Sequence, residues 1–217
     1  LLMRIPEDYR PATQTGPRRW IPPVVVAPGI AIGFVNVHYP VVAGFLVLHL
    51  SHYGKAGPVA FSAYALLILS SRFFLGSLPD RINPLITFYG GLVCMAAGLL
   101  LLAQGPGEVT AVLSTALLGF GFSFPWSSVA GSVLRQIPST ERGSAVGVLS
   151  AFVDLFVGAS SFAIGAVAQH FGYAACFYVA VASLTVAAVV GRWVFTTNPP
   201  AVAVSDPEPV LEPVCHD

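Results

Sequence analysis

Six apolar segments, each long enough to cross a lipid bilayer, follow one another along this chain of 217 residues. They lie at about 21–50, 57–78, 84–104, 108–135, 142–169 and 172–195. A helix of about 20 apolar residues spans the hydrocarbon core, where every backbone polar group must be bonded within the protein. Short loops join the segments, which favours tight turns between neighbouring helices. We therefore predict an all-α membrane protein with six transmembrane helices.

The charge content supports a membrane protein and argues against other classes. Only 9% of the residues are charged, whereas a soluble domain has about 25%. The net charge of zero provides no basic field for nucleic acid. The three cysteines form no C-x-x-C or Cys/His cluster, and neither a nucleotide-binding loop nor a catalytic triad pattern occurs in the sequence. We expect no metal, no cofactor, no nucleic-acid partner and no enzymatic activity.

The basic residues indicate how the chain is oriented. Nine of the ten Lys and Arg residues fall on one side of the predicted membrane, and only Lys55 falls on the other. Cytoplasmic loops carry the excess of basic residues, so both termini are expected in the cytoplasm and the protein in the inner (plasma) membrane. We interpret residues 1–20 as a basic cytoplasmic linker, residues 21–196 as a six-helix unit and residues 197–217 as a disordered cytoplasmic tail.

The fifth apolar segment carries a narrow strip of small residues around one carboxyl group, Asp154. At 100° per residue, seven residues share an arc of roughly 80°: Gly143, Gly147, Ser150, Asp154, Gly158, Ser161 and Gly165. Small residues let another helix approach closely, and a carboxyl group is costly in lipid unless it faces protein or water. Asp154 could exchange a proton or bind a cationic substrate. The alternative is a structural acid bonded to Ser150 or to a neighbouring helix.

Two spans are expected to be interrupted at corresponding places. Pro40 cannot donate to the carbonyl of Asn36, so the first span should kink there; the fourth contains Gly119, Gly121 and Pro125. Interrupted helices at matching positions of two three-helix repeats are typical of inverted-repeat transporters. Two aromatic residues of the fourth span, Phe124 and Trp126, are candidates for stacking a ligand, or simply pack against other helices.

The loop after the second span combines charge with a small residue. It contains Arg72, Gly76, Leu78, Asp80 and Arg81. A carboxylate there could meet the N-terminus of a neighbouring helix and latch one conformation. Glu141 and Arg142, at the start of the fifth span, could join the same cytoplasmic network. The alternatives are a plain positive-inside loop and an ordinary helix start.

The pattern G-x-L-x-D-R formed by Gly76, Leu78, Asp80 and Arg81 resembles the cytoplasmic loop motif of the major facilitator superfamily. The family's usual glycine and basic residues are replaced by Ile, Asn and Pro at 82–84. The string PSTERGSAVG at 138–147 is similar to the family's loop before the fifth helix of a half. GFGFSFP at 119–125 and AFVDLFVG at 151–158 look like bacterial arabinose or drug exporters.

The resemblance implies the C-terminal six-helix half of a twelve-helix transporter, with helices equivalent to 7–12 in a 3+3 inverted repeat. It implies alternating access and proton-coupled efflux of a small organic solute such as a drug or sugar. It further implies that the first span lines the cavity, which makes Asn36, His38 and Tyr39 candidate substrate or proton contacts. A buried histidine such as His38 more often makes a hydrogen bond between helices. The resemblance also implies that the Asp154 helix supports the cavity-lining helices.

Two other functions remain open from the sequence. The chain could be a half-size transporter that works as a homodimer, or a non-transporting assembly partner or sensor in the membrane. The expected partners are a small-molecule substrate, the lipid bilayer, and either an N-terminal six-helix half or a second copy. The first residue is Leu rather than Met, and we expect the chain to be part of a longer transporter.

Overall fold

The computed structural model describes residues 23–52, 57–75, 82–105 and 107–197. Within these ranges the chain forms seven helices and no strand. They are α1 (Pro23–Asn36), α2 (His38–His52), α3 (Gly57–Leu75), α4 (Pro84–Ala103), α5 (Glu108–Leu134), α6 (Arg142–Phe171) and α7 (Tyr173–Thr197). The predicted linker and all but the first residue of the predicted tail lie outside the described residues.

These helices make six spans. The helices α1 and α2 together form the first span, Val24–Ser51, and α3 to α7 each contain one more. All six are long and apolar enough to cross a membrane. The described part of the chain therefore confirms the predicted all-α fold with six transmembrane helices.

The outer surface of the bundle is apolar on several sides. Large side chains on three different helices are mostly exposed: Phe73 of α3 at 83%, Val109 of α5 at 72% and Phe162 of α6 at 84%. Soluble proteins rarely expose contiguous apolar surface of this kind. In a bilayer these side chains contact lipid tails, so the exposure fits the expected environment.

The first span is interrupted at Val37, between α1 and α2. Its N–H donates to the carbonyl of Phe34 at 3.3 Å, in the tighter i to i−3 pattern. Pro40 has no N–H for the Asn36 carbonyl, which prevents a regular helix across this point. The interruption predicted from Pro40 is therefore present.

The fourth span is not interrupted as predicted. Helix α5 is continuous from Glu108 to Leu134, with Pro125 inside it, so the predicted interruption is wrong. Its glycines serve close packing instead. A Cβ atom at Gly121 would lie 2.6 Å from the carbonyl oxygen of Gly91 on α4, and one at Gly119 would collide with the carbonyl of Tyr64 on α3.

The α4–α5 pair has the most extensive contact in the bundle, and α3 packs on the other side of α5. Helix α1 packs against α6 and α7, and α7 also contacts α4. Gly172, between α6 and α7, has φ of 79°, a conformation that favours glycine and allows the chain to reverse at once. The bundle therefore places the α1–α2 interruption among α3, α5 and α6, where the candidate site lies.

Candidate functional site

Helix α6 is the least buried of the six spans. A Cβ atom at Gly143, Gly147, Gly158 or Gly165 would meet no atom within 4 Å among the described residues, and Asp154 is exposed on the same strip. The small-residue strip therefore does not pack on a helix of the described chain, contrary to the expectation of close helix contact. The sequence pattern marks a surface suited to close approach but cannot name its partner.

The contact between α6 and α1 uses aromatic rings instead. The ring of Phe156 lies where a Cβ atom of Gly33 would be, at 2.5 Å, and the ring of Phe152 occupies the equivalent place at Gly29. Phe156 also meets Phe34 edge-to-face, with ring centroids 4.9 Å apart. The two rings occupy the space beside the α1 glycines. Since Asp154 lies on a different face of α6 from Phe152 and Phe156, it faces an open cavity instead of α1.

This cavity, called here the central cavity, has a volume of about 240 Å³. Side chains of four helices line it: Asn36 of α1, Arg72 of α3, Phe122 and Trp126 of α5, and Ser150, Val153 and Asp154 of α6. Four of the predicted site residues are thus brought together, namely Asn36, Arg72, Trp126 and Asp154.

The residues that line the central cavity lie at different distances from the ends of their helices. At about 1.5 Å per residue, Asp154 lies about 18 Å along α6 from Arg142, and Trp126 lies about 12 Å from Leu134 at the end of α5. Arg72 is within one turn of the end of α3, and its side chain lines the cavity. In a hydrocarbon core about 30 Å thick, Asp154 is near the middle.

The chemistry of the central cavity is mixed. Arg72 supplies a fixed positive charge and Asp154 a carboxyl group, both exposed to the opening. Asn36 is buried, and its amide nitrogen donates to the carbonyl of Ile32 at 2.8 Å, which leaves its amide oxygen able to accept. Phe122 and Trp126 contribute an aromatic wall. Such a wall with a few polar groups is typical of a small-molecule site.

His38 is fully buried beside the central cavity but does not line it. Its Nδ1 lies 2.7 Å from the carbonyl oxygen of Val35, and its Nε2 lies 3.1 Å from the hydroxyl of Tyr64 on α3. If Nδ1–H donates to the carbonyl, Nε2 accepts from the Tyr64 hydroxyl. The structure thus shows the helix–helix hydrogen bond that was the alternative for this histidine. A direct contact of His38 with substrate remains a prediction.

Two further predicted contacts lie outside the central cavity. The side chain of Tyr39 is 47% exposed and is not among the cavity-lining residues. Phe124 lines a second, apolar cavity of about 220 Å³ between α4 and α5, formed by Ile82, Ile86, Thr87, Gly90, Gly91, Cys94, Phe120 and Phe124. Their roles in substrate binding stay predictions.

The predicted loop motif is only partly visible. Gly76, Asp80 and Arg81 lie outside the described residues. Glu141 and Arg142 are exposed at the start of α6, where the Glu141 carbonyl accepts from the N–H of Ala145 at 3.0 Å, as in an ordinary helix start. Arg72, which sequence reasoning grouped with this motif, lines the central cavity instead. The conformational role of the motif remains a prediction.

Sequence reasoning missed Phe122 and Val153 as cavity residues and treated Ser150 only as a bonding partner of Asp154. A signal for Phe122 existed, because residues four apart lie on the same face of a helix and Trp126 was already a candidate. Among the described residues, no group of three or more His, Cys, Asp or Glu side chains could hold a metal ion.

Six apolar helices around a cavity lined by aromatic residues and a few charged and polar groups are typical of membrane transporters. The comparison with known proteins identifies the family. The family model described as Major Facilitator Superfamily matches residues 29–214, and the chain belongs to this superfamily. The resemblance is thereby confirmed at the level of the superfamily, a family of transporters. The more specific likeness to arabinose or drug exporters is not tested by these comparisons and stays a prediction.

Similar proteins come from several bacteria. An uncharacterized MFS-type transporter of Pseudomonas aeruginosa (strain UCBPP-PA14) is 31% identical over 162 residues, which is 72% of this chain and 39% of the relative. The uncharacterized MFS-type transporter YhhS of Escherichia coli (strain K12) is 26% identical over 177 residues, covering 79% of this chain and 42% of YhhS. The chain thus spans about two fifths of the length of the curated relatives it matches.

A solved structure supports the fold. A mutant of the peptide transporter POT in complex with alafosfalin superimposes with a TM-score of 0.68 at 19% identity. The match covers 80% of this chain and 38% of that transporter. The six described spans therefore have the fold of one part of a larger helical transporter.

Proposed function

We propose that the chain is the C-terminal six-helix half of a secondary transporter that exports a small organic solute in exchange for protons. The observation that carries the proposal is the central cavity, which Asn36, Arg72, Trp126 and Asp154 line together, with Asp154 about 18 Å along α6 from Arg142. Transporter sites lie at this depth because the bundle can then open toward either side around a fixed site.

A second six-helix unit completes the site in this proposal. The exposed strip of α6 lies beside the central cavity and offers small residues to a partner helix. The length of the relatives, of which this chain covers about two fifths, favours an N-terminal half as that unit. A second copy of this chain and a non-transporting membrane partner are the rivals.

Asp154 is the proposed proton carrier. It lies in the central cavity with the positive charge of Arg72 across from it on α3, while both ring nitrogens of His38 are engaged in hydrogen bonds. A carboxyl group that faces a cavity first from one side of the membrane and then from the other can take up a proton outside and release it inside. Inward proton flow then drives solute outward.

The test uses inside-out vesicles that contain the full-length transporter and an imposed pH gradient. A pH-sensitive dye reports proton flow when a solute is added. The solutes are arabinose, ethidium and L-phenylalanine, which represent a sugar, a cationic drug and an amino acid. We expect at least one solute to release protons in the wild type, and Asp154→Asn to abolish the pH dependence of its transport. Glu108→Gln, at the first residue of α5, is the matched control. Unchanged pH dependence in Asp154→Asn would remove this residue from the coupling role.

The proposed orientation has both termini in the cytoplasm and the protein in the inner membrane. A green fluorescent protein fused to the C-terminus folds and fluoresces in the cytoplasm. A dark but stably expressed fusion would contradict this orientation.

A further inference from the structure

We infer that the central cavity selects a small zwitterion: a solute whose anionic group pairs with Arg72, whose cationic group pairs with Asp154, and whose compact apolar body lies against the α5 aromatic wall. The inference rests on the proposed transporter function and specifies its substrate class. It differs from both substrate types, sugar and drug, that the sequence resemblance implied.

The first argument for a zwitterion is the pair of opposite charges that line the cavity. Arg72 on α3 and Asp154 on α6 line one cavity, and both side chains are exposed to it rather than covered by neighbouring residues. The guanidinium group remains charged and binds carboxylates or phosphates through two parallel hydrogen bonds. The Asp154 carboxylate accepts hydrogen bonds from an ammonium group. The cavity therefore presents a binding group for each end of a zwitterion.

The second argument for a zwitterion is the cost of leaving a charge unpaired when the site closes. When a transporter occludes its cavity, charges inside are removed from water, and a charge without a partner there is strongly unfavourable. A lipophilic cation would leave Arg72 without a charged partner, and a neutral sugar would leave Arg72 and Asp154 only each other to pair with. A zwitterion satisfies Arg72 and Asp154 together with no net charge carried into the membrane.

The walls of the cavity indicate the body of the solute. Phe122 and Trp126 are one helical turn apart on α5 and face the same opening, with Val153 on α6. Tryptophan is the aromatic ring that best attracts a nearby cation. This six-helix unit contributes a cavity volume of about 240 Å³ to the site. Its aromatic wall suits the apolar side chain of an amino-acid-like molecule.

Two uncharged groups that line the same cavity strengthen the assignment. The amide nitrogen of Asn36 is held by the Ile32 carbonyl at 2.8 Å, so its oxygen is available as an acceptor. Ser150 lies one turn before Asp154 on α6 and lines the same cavity. An ammonium group has three donors to satisfy, and Asp154, Asn36 and Ser150 supply three acceptors.

The experiment compares three probes that share one aromatic body. L-phenylalanine carries both charges, phenethylamine lacks the carboxylate, and 3-phenylpropionate lacks the ammonium group. Binding to the full-length transporter in detergent is measured by calorimetry and by the shift in thermal stability. We expect L-phenylalanine to bind about 10- to 100-fold more tightly than either analogue, because each lost hydrogen-bonded charge pair is worth this much.

Charge-removing variants give the decisive pattern. Arg72→Gln should lower the affinity for L-phenylalanine and for 3-phenylpropionate about 10-fold or more. The affinity for phenethylamine should stay the same or increase. Asp154→Asn should lower the affinity for L-phenylalanine and for phenethylamine and leave the affinity for 3-phenylpropionate unchanged. Arg192→Gln and Glu108→Gln remove exposed charges outside the central cavity and serve as matched controls.

Three outcomes would overturn the inference: no binding of L-phenylalanine, equal binding of all three probes, or variants that weaken every probe alike. The last would show that Arg72 and Asp154 support the fold or pair with each other instead of contacting solute. Proton-coupled transport of arabinose or ethidium in the vesicle assay, without a preference for L-phenylalanine, would overturn this inference and leave the proposed function standing.

Discussion

His38 shows, at the scale of single residues, how a side chain is placed by its hydrogen bonds. It follows the interruption at Val37, where the carbonyl groups of α1 lose regular helical partners. Its ring bonds the Val35 carbonyl, stacks edge-to-face on Phe122 with centroids 4.7 Å apart, and meets Tyr64 on α3. The histidine therefore ties the interrupted span to two neighbouring helices.

Removing the hydroxyl of Tyr64 tests this tie. In Tyr64→Phe the 3.1 Å contact to His38 is lost, and it is the hydrogen bond of Nε2 within the described part of the chain. Hydrogen bonds between helices in membranes contribute on average about 0.6 kcal/mol and at most about 1.7 kcal/mol, so we expect a loss of stability in that range. Reversible unfolding in SDS measures it. Tyr178→Phe, at a half-exposed tyrosine of α7, is the control, and an equal loss in both variants would contradict the assignment.

At the scale of helices, the α4–α5 pair is held by backbone contact. Gly91 of α4 and Gly121 of α5 face each other, and a Cβ atom at Gly98 would lie 2.6 Å from the carbonyl oxygen of Ser114. In lipid the hydrophobic effect does not drive helices together, so close packing supplies much of the attraction between them. This explains why the glycines of α5 lie in a continuous helix.

Neighbouring glycines on α4 provide a matched test of that packing. In Gly91→Ala the new methyl group would lie 2.8 Å from the Gly121 carbonyl oxygen, whereas a Cβ atom at Gly90 meets nothing within 4 Å. We expect Gly91→Ala to destabilise the protein by about 1–3 kcal/mol, as overpacking does. Gly90→Ala should be neutral or stabilising by up to about 1 kcal/mol, because alanine favours the helix. Thermal unfolding of both variants compares them; equal midpoints would contradict the packing argument.

At the scale of the whole molecule, the exposed strip of α6 is the surface that the bundle leaves without a helix. Gly147, Gly158 and Ser161 are exposed on it, on either side of Asp154. A second six-helix unit in contact with this strip would close the open side of the central cavity. This arrangement accounts for the small residues of the strip, whereas other exposed positions of α6 carry large side chains such as Phe162.

A bulky residue on the strip tests that arrangement in the full-length transporter. Gly158→Leu adds a side chain where the described fold has free space, so the yield of folded protein should match the wild type. Solute-dependent proton flow in vesicles should fall at least about tenfold, because small residues permit the close approach of helices. Val93→Leu, at an exposed position of α4, is the control. Full activity of Gly158→Leu would show that the strip faces lipid.

Part of the site was predictable, because some of its residues are unusual on their own. Asp154 is a carboxyl group inside an apolar segment, and Asn36 lies four residues before a proline, so each is conspicuous without a structure. Arg72 was assigned to the cytoplasmic loop motif and not to the cavity, since an arginine near a helix end is normally explained by the cytoplasmic surface. Its place in the central cavity depends on how α3 packs against α5, which the residues of α3 alone do not reveal.

The sequence by itself determined the six spans and the interruption near Pro40, because hydrophobic length and the missing N–H of proline are local properties of a chain. Only the tertiary structure decided that α5 is continuous, that His38 bonds Tyr64, and that Arg72 shares a cavity with Asp154. The physical reason is that lipid is as apolar as the helices themselves. Apolar residues can therefore place a segment in the bilayer, while close packing and hydrogen bonds select which faces meet.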